Sequence, residues 1–142
     1  MDSTIKEDKV LGCIYGVLAG DALGGPVQFK ERGTFERITG LREIQKFTKP
    51  AGTWSDDGSL TLCLAQALID NDGEYDDLSF VRNACDWFAN GYLSSLDRAW
   101  DIGSATKTSL RTWQKLLDEN QLRSPQLAQE GLRNCSEKAR HS

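Results

Sequence analysis

Any chemistry carried by this chain has to run on oxygen donors. Its densest group of reactive side chains is Gly52-Thr53-Trp54-Ser55-Asp56-Asp57-Gly58-Ser59, placed directly before an apolar stretch that begins at Leu60. The simplest use of such a group is a helix cap, in which Ser55, Asp56 or Asp57 accepts from the first free amides and the helix dipole favours the negative charge. One carboxylate is enough for that. Two adjacent aspartates at the entrance to a buried helix would both be desolvated. A divalent cation offsets that cost, and one hydroxyl with two carboxylates supplies three hard oxygen ligands for Mg²⁺. Capping and metal binding both stay open on the residues alone. Asp21 and Asp101 are the other candidates. Asp21 falls on an apolar helical stripe, where it would cap the turn at Gly24-Gly25 or bond a neighbouring helix. Asp101, before Ile102-Gly103, reads most simply as the N-cap of the helix that follows.

Other chemistries are excluded by what is missing. His141 is the single histidine and stands next to the last residue, so Ser-His-Asp, Cys-His and His-based zinc sites have no basis in the body of the chain. Cys13, Cys63, Cys85 and Cys135 are widely spaced with no C-x-x-C pair. They read as free thiols of a reducing compartment, the first three buried among apolar neighbours. A net charge of -4 without a basic stripe argues against nucleic acid as a partner. The N-terminal segment is too polar for a secretory signal, and no apolar run approaches the roughly 20 residues of a membrane span. A cytoplasmic protein with no membrane partner is the expectation.

The elements that must position these residues read as helices joined by glycine-rich loops, so the fold class is all-α. Val10, Ile14, Val17, Leu18 and Asp21 form one stripe of a helix from about Lys6 to Gly24. Gly12, Gly16 and Gly20 form a ridge on another side that would let a second backbone approach. Phe29 to Thr53 is a long irregular connection, with a short helical or extended piece around Leu41 to Phe47. Gly58 to Asp70 is apolar nearly all round and predicts a central helix buried on most sides. Helices follow at about Asp77 to Asn90, stopped by Gly91, and at about Ile102 to Asn120. The 142 residues fit one domain, ordered over 1–120, with 121–142 a loosely held tail.

Gly16 to Phe29, which contains Gly20-Asp21-Ala22-Leu23-Gly24, and Ala51 to Ala65, which contains Trp54-Ser55-Asp56-Asp57-Gly58, together closely resemble the ADP-ribosylglycohydrolase family. Gly91-Tyr92 and Asp101-Ile102-Gly103 with Thr106 extend the likeness over roughly residues 7 to 117. The resemblance implies an all-α domain of the orthogonal helical type, holding two Mg²⁺ ions in a cleft. Its reaction would be hydrolysis of the glycosidic bond between ADP-ribose and a protein side chain or small acceptor. Its partners would be ADP-ribosylated proteins or small ADP-ribose conjugates. It also implies roles: Ser55, Asp56 and Asp57 as metal ligands, Asp56, Asp57 and Asp101 as catalytic residues, Asp101, Gly103 and Gln28 against the substrate, and Asp21 as a structural support behind them.

The chain departs from that pattern in two places. Gln28 stands where many members carry a glutamate, and a neutral amide neither acts as a general base nor adds charge beside a metal-bound water. The distal aspartates that would complete a two-metal clamp are missing, so the chain reads as the N-terminal half of a longer domain with at most a partial site. The expected consequences are reduced or absent activity and a partly exposed Leu60–Ile69 helix. The exposed surface would favour self-association or a complementing chain. The other readings this leaves are a non-catalytic ADP-ribose or metal-binding module and a truncated product without function.

Overall fold

The computed structural model describes residues 3–119, which form four α-helices and no strand. They are α1 (Ser3–Gly24), α2 (Asp56–Asp70), α3 (Asp77–Asn90) and α4 (Ser104–Asp118), with short 3₁₀ turns at Gly25–Val27 and Gln45–Phe47. The expected all-α class holds. The tail at 121–142, including Cys135 and His141, lies outside the described residues.

The core lies between α2, α3 and α4. Cys63 from α2, Ala84 and Trp87 from α3 and Leu110 from α4 are fully buried, with Leu60, Phe80, Ile102 and Trp113 packed around them. Val81 and Cys85 extend it toward Leu116 and Leu117. The Trp87 ring is the largest fully buried side chain among the described residues. α3 is defined by local signals at both ends. Asp76 accepts from the Ser79 amide at 2.7 Å, and Gly91 closes the helix with φ 75° and a bond from its amide to the Trp87 carbonyl. A Cβ on Gly91 would also lie 2.6 Å from the Asp97 carbonyl oxygen, so the following loop requires glycine there.

α1 corrects the sequence reading. It packs on α2 and on the turn after it, but Val10 is 64% exposed, and Leu11, Cys13 and Tyr15 are exposed too. The Val10–Asp21 stripe is therefore engaged only near its C-terminal end, where Ala22 is buried and Leu18 reaches α2. The expectation that Cys13 is buried fails with it. The glycine ridge is likewise unused among the described residues, since a Cβ on Gly12, Gly16 or Gly20 would meet nothing within 4 Å. Glu7–Val27 is also long and apolar enough to cross a bilayer by length and composition, contrary to the expectation that no run comes near a span. Asp21, inside that stretch, bonds to the polar start of α2, which is the behaviour of a packing helix.

α2 buries Gly58, Ser59, Cys63 and Ala67 and leaves Leu64 and Ile69 exposed. It is buried along one face rather than on most sides. The 28–55 connection is irregular as expected, with the Gln45–Phe47 turn and a single antiparallel bridge between Ile44 and Lys49. Ile44 is buried against Gly25, where a Cβ would lie 2.6 Å from its side chain, and this pins the connection to the end of α1.

Candidate functional site

The start of α2 is held from three directions. Ser55 occupies the N-cap position but caps nothing with its own side chain, and Asp56 and Asp57 fill the first turn. The cap comes instead from α1. Asp21 Oδ2 accepts from the amides of Ser55 at 2.8 Å and Gly58 at 2.9 Å, and Asp21 Oδ1 accepts the Ser55 hydroxyl at 2.8 Å. Of the two readings left open for the Ser55–Asp57 group, the Ser55 side chain does not make the cap, and Asp21 takes the second of its own two sequence readings, a bond to a neighbouring helix. A carboxylate at a helix N-terminus gains from both the orphan amides and the macrodipole.

Behind this turn, the Trp54 carbonyl accepts from Ser95 Oγ at 2.6 Å and from Trp100 Nε1 at 2.8 Å. The Trp54 ring packs over Gly58, where a Cβ would lie 2.7 Å from Cδ1. Sequence reasoning missed Ser95 and Trp100. Their only signal was a tryptophan beside Asp101, which carries no information about a carbonyl 46 residues upstream.

Because Asp21 takes the capping duty, the carboxylates of Asp56 and Asp57 are left for other work. Asp56 is half-buried and Asp57 exposed. Burial, followed by the neighbouring charge of Asp57, pushes the Asp56 carboxyl above its ordinary value of 3.8, while the Gly103 amide and its own amide pull the other way. Gly103 is the N-cap residue of α4, which puts the start of that helix near Asp56.

A cavity of about 690 Å³ opens in front of these groups, and its walls include Asp21, Gln28, Ser55, Asp56, Asp57 and Thr61. Five of the seven residues singled out from sequence are thus gathered in one place. Asp101 and Gly103 are not on its wall. Asp101 is also not the N-cap of α4, because that helix starts at Ser104 behind Gly103. Its backbone is left-handed, φ 54°, and its buried Oδ2 has no hydrogen-bond partner among the described residues. Aspartate is among the residues that tolerate that region, so the backbone strain is modest, and the buried oxygen is the feature that calls for a partner.

No group of three or more His, Cys, Asp or Glu side chains gathers as a metal cage among the described residues. The donors that do gather are the two carboxylates and the Ser55 hydroxyl. They share one cavity wall, and they are the residue types that a hard cation takes as ligands.

Comparison with known proteins points to one family. The sequence model of ADP-ribosylglycohydrolase matches residues 2–137. The ADP-ribosylarginine hydrolase Tri1 of Pseudomonas putida (strain GB-1) is 32% identical over 106 residues, covering 75% of this chain and 28% of that protein. The protein of the same name in Serratia proteamaculans (strain 568) is 32% identical over 108 residues, covering 76% and 29%. The uncharacterized protein YegU of Escherichia coli (strain K12) is 33% identical over a segment covering 28% of its length. The matched part of the chain therefore spans less than a third of the length of these curated relatives.

Proposed function

The chain belongs to the ADP-ribosylglycohydrolase family, and from that premise we propose that it provides the Ser55-Asp56-Asp57 side of a Mg²⁺-dependent site that hydrolyses the glycosidic bond between ADP-ribose and an acceptor. Arginine is the acceptor proposed, since two relatives are named for ADP-ribosylarginine. The observation that carries the reading is the division of labour at α2: Asp21 alone caps the helix, which leaves Asp56 and Asp57 as carboxylates beside an open cavity.

Ser55, Asp56 and Asp57 would hold Mg²⁺, which when bound supplies positive charge for orienting substrate oxygens and water. Asp56, on the cavity wall, would receive a proton from water as that water bonds to the anomeric carbon. The bond from the anomeric carbon to the guanidino nitrogen would break with its electron pair leaving on the nitrogen, and the proton taken up by Asp56 would pass to that nitrogen, so that arginine leaves as guanidinium and the carboxylate is restored. Asp101, with an unpartnered Oδ2, would accept from a ribose hydroxyl. Gln28 would line the cavity as a neutral donor and acceptor, contributing no charge and no base.

The test follows free ADP-ribose from ADP-ribosylated arginine with and without Mg²⁺, in the wild type and in Asp56→Ala. Mg²⁺-dependent release that disappears in the variant is expected. Equal release by both proteins removes Asp56 from the mechanism. Binding without cleavage is the second reading, favoured by the one-sided donor set, and ADP-ribose affinity without any release would establish it.

A further inference from the structure

Ser55 has one hydroxyl proton and two lone pairs, and which of them face the cavity decides what the hydroxyl can bind. The geometry gives the proton to Asp21 Oδ1 at 2.8 Å. The other carboxylate oxygen is occupied by the Ser55 and Gly58 amides. Ser55 is itself largely buried and lines the cavity.

We propose that Asp21 is a positioning residue: it fixes the direction of the Ser55 hydroxyl so that the oxygen lone pairs, not the proton, are presented beside Asp56 and Asp57. This rests on the metal reading above and adds how one of the three donors is made fit for a cation. A hydroxyl free to rotate would turn its proton toward the Asp56 carboxylate, which would cost the cation a lone pair on each of two ligands.

The substitution Asp21→Asn separates capping from orientation. The two backbone amides require an acceptor, so the asparagine oxygen takes the Oδ2 position and its NH₂ faces Ser55. The NH₂ then donates to Ser55 Oγ and reverses that hydrogen bond, while both amides stay capped. Changes to a group that orients a metal ligand typically weaken metal affinity about 10- to 100-fold. Asp21→Asn also removes a negative charge, and the same change in a Ser55→Ala background measures that charge effect alone.

The experiment is calorimetric titration of MgCl₂ into the full chain as wild type, Asp21→Asn, Ser55→Ala and the double variant, with metal-free melting temperatures recorded for each. The expected result is a larger loss of affinity from Asp21→Asn when Ser55 is present than when it is alanine. Equal losses in both backgrounds overturn the inference and leave the metal reading standing. No binding by the wild type overturns both. Should Asp21→Asn fail to fold, Ser55→Thr against Ser55→Ala decides with Asp21 intact. Threonine is expected to keep the affinity and alanine to lose it, and undiminished binding by the alanine variant ends the proposal.

Discussion

Gly58→Ala tests the packing that holds the site together, because two ordinary effects oppose each other there. Gly58 is the third residue of α2. Glycine to alanine within a helix usually stabilises by about 0.5–1 kcal/mol. At Gly58 the new Cβ would lie 2.7 Å from Trp54 Cδ1, 2.9 Å from Trp54 Cγ and 3.0 Å from Leu18 Cδ2. The Leu18 methyl can swing aside at little cost. The indole cannot shift freely, since the Trp54 backbone is tied by its carbonyl to Ser95 and Trp100. Overpacking of this kind costs about 1–3 kcal/mol, so the clash outweighs the propensity gain and the net loss is about 1 kcal/mol. For a chain of this size that lowers the melting temperature by about 3–4 °C. Gly12→Ala and Gly16→Ala are internal controls, because both lie within α1 and a Cβ there meets nothing within 4 Å. Each is expected to raise stability by up to about 1 kcal/mol. Thermal and urea denaturation followed by far-UV circular dichroism reads all three against the wild type. A Gly58→Ala protein as stable as the two controls would refute the packing of Trp54 over the first turn of α2.

Two further outcomes follow from the same geometry. The Asp56 carboxyl is raised in the folded chain, so the folded state holds its proton more tightly than the unfolded state, and stability falls as pH rises from about the ordinary 3.8 through the raised value. Asp56→Asn is therefore expected to melt above the wild type at neutral pH without metal, with the advantage gone below that window, and thermal melts across an acidic pH series check it. Burial pushes the thiols of Cys63 and Cys85 up to about 12, whereas Cys13 is exposed. A thiol reagent at mildly alkaline pH should modify Cys13 quickly and reach Cys63 and Cys85 only as fast as the chain unfolds, as peptide mass mapping over time would show.

The parts of the fold legible in the sequence are those whose signals are local. α3 is bounded by an aspartate that caps it and a glycine in the left-handed region that ends it, and its apolar spacing places Val81, Ala84 and Cys85 inward. α1 is different. Apolar residues lie all around it, so periodicity selects no face, and the surface it uses is set by where Asp21 must reach. The Ser55-Asp56-Asp57 group could be recognised as exceeding a cap, because two adjacent charges at a helix entrance need a reason. Its residue types could not say which carboxylate caps, since the answer lies 34 residues upstream. Asp101 was misplaced for the converse reason: an aspartate before a helix has the composition of a cap, but a left-handed backbone at that position turns it away from the duty.

These two outcomes have one cause. A helix N-terminus requires an acceptor but does not specify its origin in the chain, and the macrodipole rewards any nearby carboxylate. Had Ser55 or Asp57 capped α2, one of the three cavity oxygens would have been consumed by the fold. Drawing the cap from α1 uses a single carboxylate to close two amides, aim one hydroxyl and anchor one helix to another. The local group keeps its charges facing the cavity. The desolvation that raises Asp56 is what remains uncompensated in the metal-free chain, and a cation between Asp56 and Asp57 would remove it. Site and fold are coupled through Asp21, so a change at that residue should register both in the melting temperature and in the metal affinity, whereas a change at Asp57, which is exposed and whose carboxylate has no long-range bond among the described residues, should register mainly in the second.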